Sequence, residues 1–224
     1  METKKYRSRF EKELDELHSN LIKLGRLAEE AIDRSVTALI TQDASLAEAV
    51  ISADKSINSL SNQIESEALN ILLRQQPVAG DLRTISTALK MVTDLERIGD
   101  QAEDICTIVL HLIDENYVPQ GKWIIIPKMA RLAKDMVNLC VESFIKQDIA
   151  IAKKVIEMDD EMDALFVKLR DEMIELLQRQ PQYANQAIYL MMVVKYLEKI
   201  GDHAENIADW VISWITGEKK SRKT

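Results

Sequence analysis

A chain of 224 residues with 29 basic and 37 acidic side chains carries a formal net charge of −8. It is long enough to bury a sizeable core and has no cationic excess with which to bind a phosphate backbone, which argues against nucleic acid as a partner. Six glycines, four prolines and 5% aromatic residues leave little material for tight turns and exclude a sandwich, barrel or hairpin-rich fold, while 46% hydrophobic residues exclude a disordered chain.

In chain order, the opening METKKYRSRFEKELDEL is charged throughout and lacks the apolar centre of a signal peptide. No apolar run reaches the ~18 residues of a transmembrane helix, so a cytoplasmic protein without membrane insertion is expected. From Arg7 to Thr41, apolar residues recur every three or four positions (Phe10, Leu14, Leu17, Leu21, Leu24, Ala28, Ile32, Val36, Leu39), the pattern of one long amphipathic helix. A second helix is predicted from Ala44 to about Arg74 with Asp43 as its N-cap. Pro77, Gly80 and Asp81 interrupt the pattern, and a third helix is predicted over Leu82–Ile113. Residues 114–127, with two prolines and a glycine, read as a linker. Three more helices are predicted over Lys128–Lys146, Ile149–Gln178 and Asn185–Thr216. The basic tail, 218–224, holds Lys219, Lys220, Arg222 and Lys223 and reads as a solvated end. Cys106 and Cys140 form no CxxC and sit among apolar neighbours, as buried thiols do.

The two halves repeat one another. Ile40-Thr41-Gln42-Asp43 matches Ile145-Lys146-Gln147-Asp148 at an offset of 105, and at that offset Asp54 falls on Asp159 and Ile57 on Met162. LLRQQP (Leu72 to Pro77) matches LLQRQP (Leu176 to Pro181) at 104, and LERIGD (Leu95 to Asp100) matches LEKIGD (Leu197 to Asp202) at 102. The expected architecture is all-α: two tandem, sequence-related three-helix units, 1–113 and 128–217.

The acidic positions carry the chemistry. At about 100° per residue, Met91, Leu95, Ile98, Ala102, Ile105 and Val109 form the core stripe of the third helix. Glu96, Asp100 and Glu103 fall opposite it, with Asp104 beside them. The sixth helix repeats this with Glu198, Asp202 and Glu205, and the fifth adds Asp159, Asp160, Glu161 and Asp163. The bland explanation is a solvated face. Against it, like charges at i, i+4 cost a helix about 0.2–0.5 kcal/mol per pair, and no lysine or arginine stands within the row. The row also lies mid-helix, beyond help from the macrodipole. Each row contains a glycine, Gly99 or Gly201, which costs a helix interior about 1 kcal/mol against alanine; a close approach by a neighbouring backbone or a bound ion cluster would justify it. These outward-facing carboxylates point to capture of polyvalent cations. All-oxygen donors favour magnesium, manganese, calcium or iron over thiolate-bound zinc. His203, beside Asp202, reads as a surface histidine or an ion ligand.

The segments from Glu96 to Ile105 and from Glu198 to Ile207 share the pattern E-[RK]-I-G-D-x-A-E-[DN]-I. Placed in the third helix of each repeat, they resemble the PhoU family over nearly the whole chain. The resemblance implies two similar three-helix bundles and multinuclear metal clusters held through E/D-x-x-x-D motifs. Divalent or trivalent iron, zinc, manganese or magnesium ions are the expected cofactors. It also implies a cytoplasmic, homodimeric negative regulator of the phosphate-starvation response. Such a regulator would link the ATPase subunit of the phosphate ABC transporter to a membrane sensor histidine kinase. Carried over residue by residue, the motif assigns Glu96 with Asp100 and Glu198 with Asp202 as principal ligands, and Asp159 with Asp163 fits the same spacing. The first half has Asp54 but Asn58, so one carboxylate is missing there and the Asp159, Asp163, Glu198, Asp202 site is expected to be the stronger. Glu103 and Glu205 are lesser candidates.

An enzyme is disfavoured. No Glu-x-x-His serves a di-iron site, no phosphate-binding glycine loop is present, and no Ser or Cys nucleophile stands near a base. A metal-free helical scaffold remains the alternative. Two further features read as partner surface or as packing: the apolar stretch Trp123 to Ile126, and Trp210 with Trp214.

Overall fold

In a computed structural model of the chain, residues 2–75, 77, 79–115 and 125–218 are described, with side chains from Phe10 onward. The helices are α1 (Glu2–Thr41), α2 (Ala44–Gln75), α3 (Gly80–Asp114), α4 (Ile125–Lys146), α5 (Ile149–Arg179) and α6 (Ala184–Thr216), with a 3-10 turn at Pro181–Tyr183. Among the described residues there is no strand. The two tandem three-helix bundles expected from the repeat are present. In the first, α1, α2 and α3 pack against each other; in the second, α4 and α6 both touch, and both are touched by, α5.

The apolar stripe of α1 is the buried one: Leu17, Leu21, Leu24, Ala28 and Ile32 are fully inaccessible. The tight connections repeat as their sequences do. Gln42 and Gln147 adopt left-handed backbones, φ 53° and 54°. The next residue's N–H returns to a carbonyl five residues back, Asp43 to Ala38 and Asp148 to Ser143, closing the helix end in the Schellman manner. Each aspartate then caps the following helix: Asp43 accepts from the Leu46 N–H at 3.0 Å, and Asp148 from those of Ala150 and Ile151.

The expected linker ends earlier than its prolines indicate. Ile125, Ile126 and Pro127 belong to α4, where Ile126 is buried. A first-turn residue has no intrahelical N–H bond to lose, so Pro127 is accommodated. Trp123, Ile124 and the tail from Lys219 lie outside the described residues.

The halves meet counterpart to counterpart, α1 against α4 and α3 against α6, and one apolar core runs through both. In the α1–α4 contact, Val141 presses onto Gly25 and the ring of Phe144 meets His18 edge-on at 5.5 Å. At the α3–α6 seam, His111 stacks on Tyr189 and Lys90 lies 3.8 Å above the Trp210 ring. Trp214 packs on Phe144 at 5.0 Å, so both tryptophans serve packing between elements. No described helix is long and apolar enough to cross a membrane.

Candidate metal centre

The motif glycines mark where a carboxylate from the neighbouring helix is pressed into the backbone. A Cβ at Gly99 would lie 3.0 Å from Ile57 Cδ1 and 3.3 Å from Asp54 Oδ1; one at Gly201 would lie 3.1 Å from Asp159 Oδ1 and 3.2 Å from Met162 Cγ. The four neighbours are repeat equivalents, Asp54 with Asp159 and Ile57 with Met162. Each glycine therefore lets the adjacent helix bring its aspartate into the groove, which accounts for a residue that otherwise weakens the helix.

This placement corrects the outward ridge expected from the sequence. Asp54 is 7% exposed, and Asp159 and Glu198 are each 9% exposed. Glu96, Asp100, Glu103, Asp202 and Glu205 are half-buried, while Asp163, Asp160 and Glu161 are exposed. A helical wheel distinguishes one core side from one solvent side. Here α3 has α1, α2 and α6 around it, and α6 has α4, α5 and α3. The side opposite the apolar stripe looks over a neighbouring helix, so the acidic rows line the α2–α3 and α5–α6 grooves.

Desolvation and mutual repulsion then act together. Burial, then Asp202's and Glu205's neighbouring charge together with that of Asp163 and Glu198, pushes the Asp159 carboxyl up to about 7, Glu205 being the largest of the four. Asp54 is raised by burial and by Asp100, against a hydrogen bond from Asn58. Glu96 is raised by burial, Asp100 and Glu65, and Glu103 by burial, Asp54, Asp100 and Asp104. Glu65, on α2, is thus a member of the first cluster from outside the motif, and Asp104, beside the row in sequence, acts on it as well. The Oδ1 atoms of Asp54 and Asp159 are both buried without a hydrogen-bond partner, an uncompensated cost for a carboxylate.

No lysine or arginine stands within the rows, but basic side chains reach them from one turn away. Arg97 pairs with Asp100 at 3.0 Å. Lys195 pairs with Glu198 at 2.6 Å, and Lys199 bonds Asp202 and lies 3.7 Å from Glu198. Each of the one-turn partners stands three residues before its acid, off the row itself, and a flexible stem brings its charge across. His203 is neither free surface nor turned toward the acids: its Nδ1 lies 2.9 Å from Asp94 Oδ1, and Trp210 Nε1 donates to Asp94 Oδ2 at 3.2 Å. Tyr196 hydrogen-bonds Asp104 across the same seam.

As they stand, no three Asp, Glu, His or Cys side chains among the described residues converge closely enough to hold an ion. The fit to a hard polyvalent cation rests on the donors: several carboxylates in one groove, two of them with buried unpartnered oxygens. Nucleophilic chemistry has no comparable support. Burial pushes the Cys106 thiol up to about 12 and raises that of Cys140 as well, so neither is a thiolate near neutral pH.

The family model for the PhoU domain matches the chain twice, over residues 21–109 and 126–211. A phosphate-specific transport system accessory protein PhoU homolog of Clostridium acetobutylicum is 35% identical over 213 residues, covering 94% of this chain and 95% of that protein. One from Aquifex aeolicus is 41% identical over 188 residues, 84% of each. Among solved structures, PhoU from Pseudomonas aeruginosa superposes with a TM-score of 0.88 at 32% identity, covering 93% of this chain and all of that one. The phosphate transport system regulatory protein PhoU from Streptococcus pneumoniae gives 0.87 at 27%, covering 95% and 100%.

Proposed function

The chain belongs to the PhoU family, a family of regulatory accessory proteins rather than enzymes, and from that membership we propose that it is a regulatory accessory protein of a phosphate-specific transport system that works with polyvalent cations in its two acidic grooves. One observation carries the ion-binding part. At equivalent places in both halves, a buried aspartate with an unpartnered oxygen is set against a helix glycine, near enough to further carboxylates for their charge to act on it. Asp159, Asp163, Glu198, Asp202 and Glu205 would form the second set; Asp54, Glu96, Asp100 and Glu103 the first. When bound, iron, zinc, manganese or magnesium would supply the positive charge that offsets repulsion among these acids. The chain's own part is to hold oxygen donors on two rigid helices per site and to keep them partly out of water.

Regulation follows from charge. An acidic groove repels acidic partner surfaces, and neutralising it removes that barrier. The partners proposed are the transporter's ATPase subunit and a membrane sensor histidine kinase, with the chain as a cytoplasmic negative regulator of the phosphate-starvation response. Self-association is supported by apolar side chains left exposed one turn apart, Leu69 with Leu73 on α2 and Ile188 with Met192 on α6.

Metal analysis of protein purified without chelator tests the ion reading, together with thermal shifts on adding each metal. Bound ion and a raised midpoint are expected by linkage. Absence of both favours a metal-free scaffold, the second reading, to which the lysine and arginine pairings lend support. Capture of the transporter ATPase by wild type and by Glu198→Gln/Asp202→Asn tests the coupling; equal capture sinks it.

A further inference from the structure

The second acidic groove holds its own counter-ions. Lys195 and Lys199 stand one turn apart on α6, and their ammonium groups engage Glu198 and Asp202, two carboxylates named above as ligands. Glu198 is the more buried partner, its side chain 12% exposed, while the lysines are nearly half exposed and lead out to water. Lys195 Nζ also lies 5.2 Å from the Phe166 ring centroid, so its ammonium group is held beside α5. The first half differs: at an offset of 102, Arg97 replaces Lys199 and Thr93 replaces Lys195.

Resting on the ion-binding reading above, we propose that Lys195 and Lys199 are tethered competitors that set the ion affinity and charge selectivity of the second groove. An incoming cation takes Glu198 and Asp202 only by displacing two ammonium groups. A monovalent ion would exchange two positive charges for one and leave the acids under-compensated. A polyvalent ion replaces the lost charge in full and also reaches Asp159, which neither lysine contacts. The lysines thereby exclude abundant monovalent cations and lower the affinity for the polyvalent ions that do enter.

The test uses the full chain, stripped of ions, with the first groove disabled by Asp54→Asn/Asp100→Asn. Mn2+ binding is followed by the spin-resonance signal of the free ion. Lys195→Met/Lys199→Met, which keeps the apolar stems, is expected to bind Mn2+ roughly three- to tenfold more tightly, the equivalent of two part-exposed ion pairs. Its ion-free melting midpoint falls, its Mn2+-induced shift grows, and Na+ begins to compete. Lys199→Arg retains wild-type affinity. If the double substitution unfolds the ion-free chain, Lys195→Gln alone is expected to tighten binding in the same direction. Unchanged or weaker binding in the lysine variants, with Mn2+ still taken up by the parent, overturns the competitor role alone. No uptake by any variant overturns the ion reading and this inference with it.

Discussion

Asp54 and Asp159 occupy the same place in two copies of one bundle and are buried alike, yet their neighbours treat them differently. Beside Asp54 stands Asn58, whose Nδ2 donates to Asp54 Oδ2 at 2.6 Å. Beside Asp159 stands Asp163, which adds charge instead of a proton donor. The Asn58 hydrogen bond restrains the rise of Asp54, whereas Asp159 is pushed up to about 7. The space around them differs as well. A crevice of about 110 Å³ opens beside Asp54, walled in part by Ala31 and Ala53; at an offset of 105 stand Met136 and Met158, and Met136 Cε reaches within 3.6 Å of where a Gly201 Cβ would be. A shared scaffold thus presents one acid half-satisfied by its own chain and another that needs a counter-charge from outside.

The largest expected effect concerns what the halves share. Gly99→Val and Gly201→Val should each cost about 3 kcal/mol in denaturant unfolding, because a branched side chain cannot enter the gap left for Asp54 or Asp159. A loss in one half only would break the equivalence.

Next comes the contrast in charge. With chelator at pH 8, Asp159→Asn should stabilise by on the order of 1–2 kcal/mol and Asp54→Asn by less. The sign follows from a native carboxyl that holds its proton more tightly than the unfolded one. Its favourable contribution is complete below about pH 4 and is lost as pH rises through about 7. Wild-type stability in chelator should therefore decline over that window, and the Asp159→Asn curve should be flatter.

Exchanging the neighbours should exchange the behaviours. Asn58→Asp is expected to destabilise the ion-free chain by about 1 kcal/mol at pH 8 while strengthening Mn2+ binding in the first half. Asp163→Asn should do the reverse in the second. If neither moves the pH dependence, the contrast has another origin. The smallest effects test sameness again: Asp43→Ala and Asp148→Ala should each cost about 0.5–1 kcal/mol, equally in both halves, as N-cap losses do.

The fold was legible because its signals are periodic and doubled. The α1 stripe, the Gln-Asp connections and the glycine hexapeptides each appear in the sequence as they do in space. Pro127 misled, since a first-turn proline looks like a linker proline without knowledge of the residues' helical phase. The acidic residues were identifiable by type and register, but their direction was not. A wheel drawn for α3 alone cannot know that α2 lies over Glu96 and Asp100. Nor does spacing along α6 reveal that Lys195 and Lys199 fold back onto Glu198 and Asp202, or that His203 turns away to Asp94 on the other half.

The counterpart contacts, α1 on α4 and α3 on α6, are those of a surface that matches itself under a two-fold rotation. A precursor of only three helices, carrying that surface, could have closed upon its twin; fusing the two left the geometry intact and removed the requirement that both sides remain alike. Asp94 now faces a histidine and a tryptophan, where an identical twin would have offered Gln101 and Ile108 at the positions 102 residues earlier. Once joined, the copies were free to divide their labour.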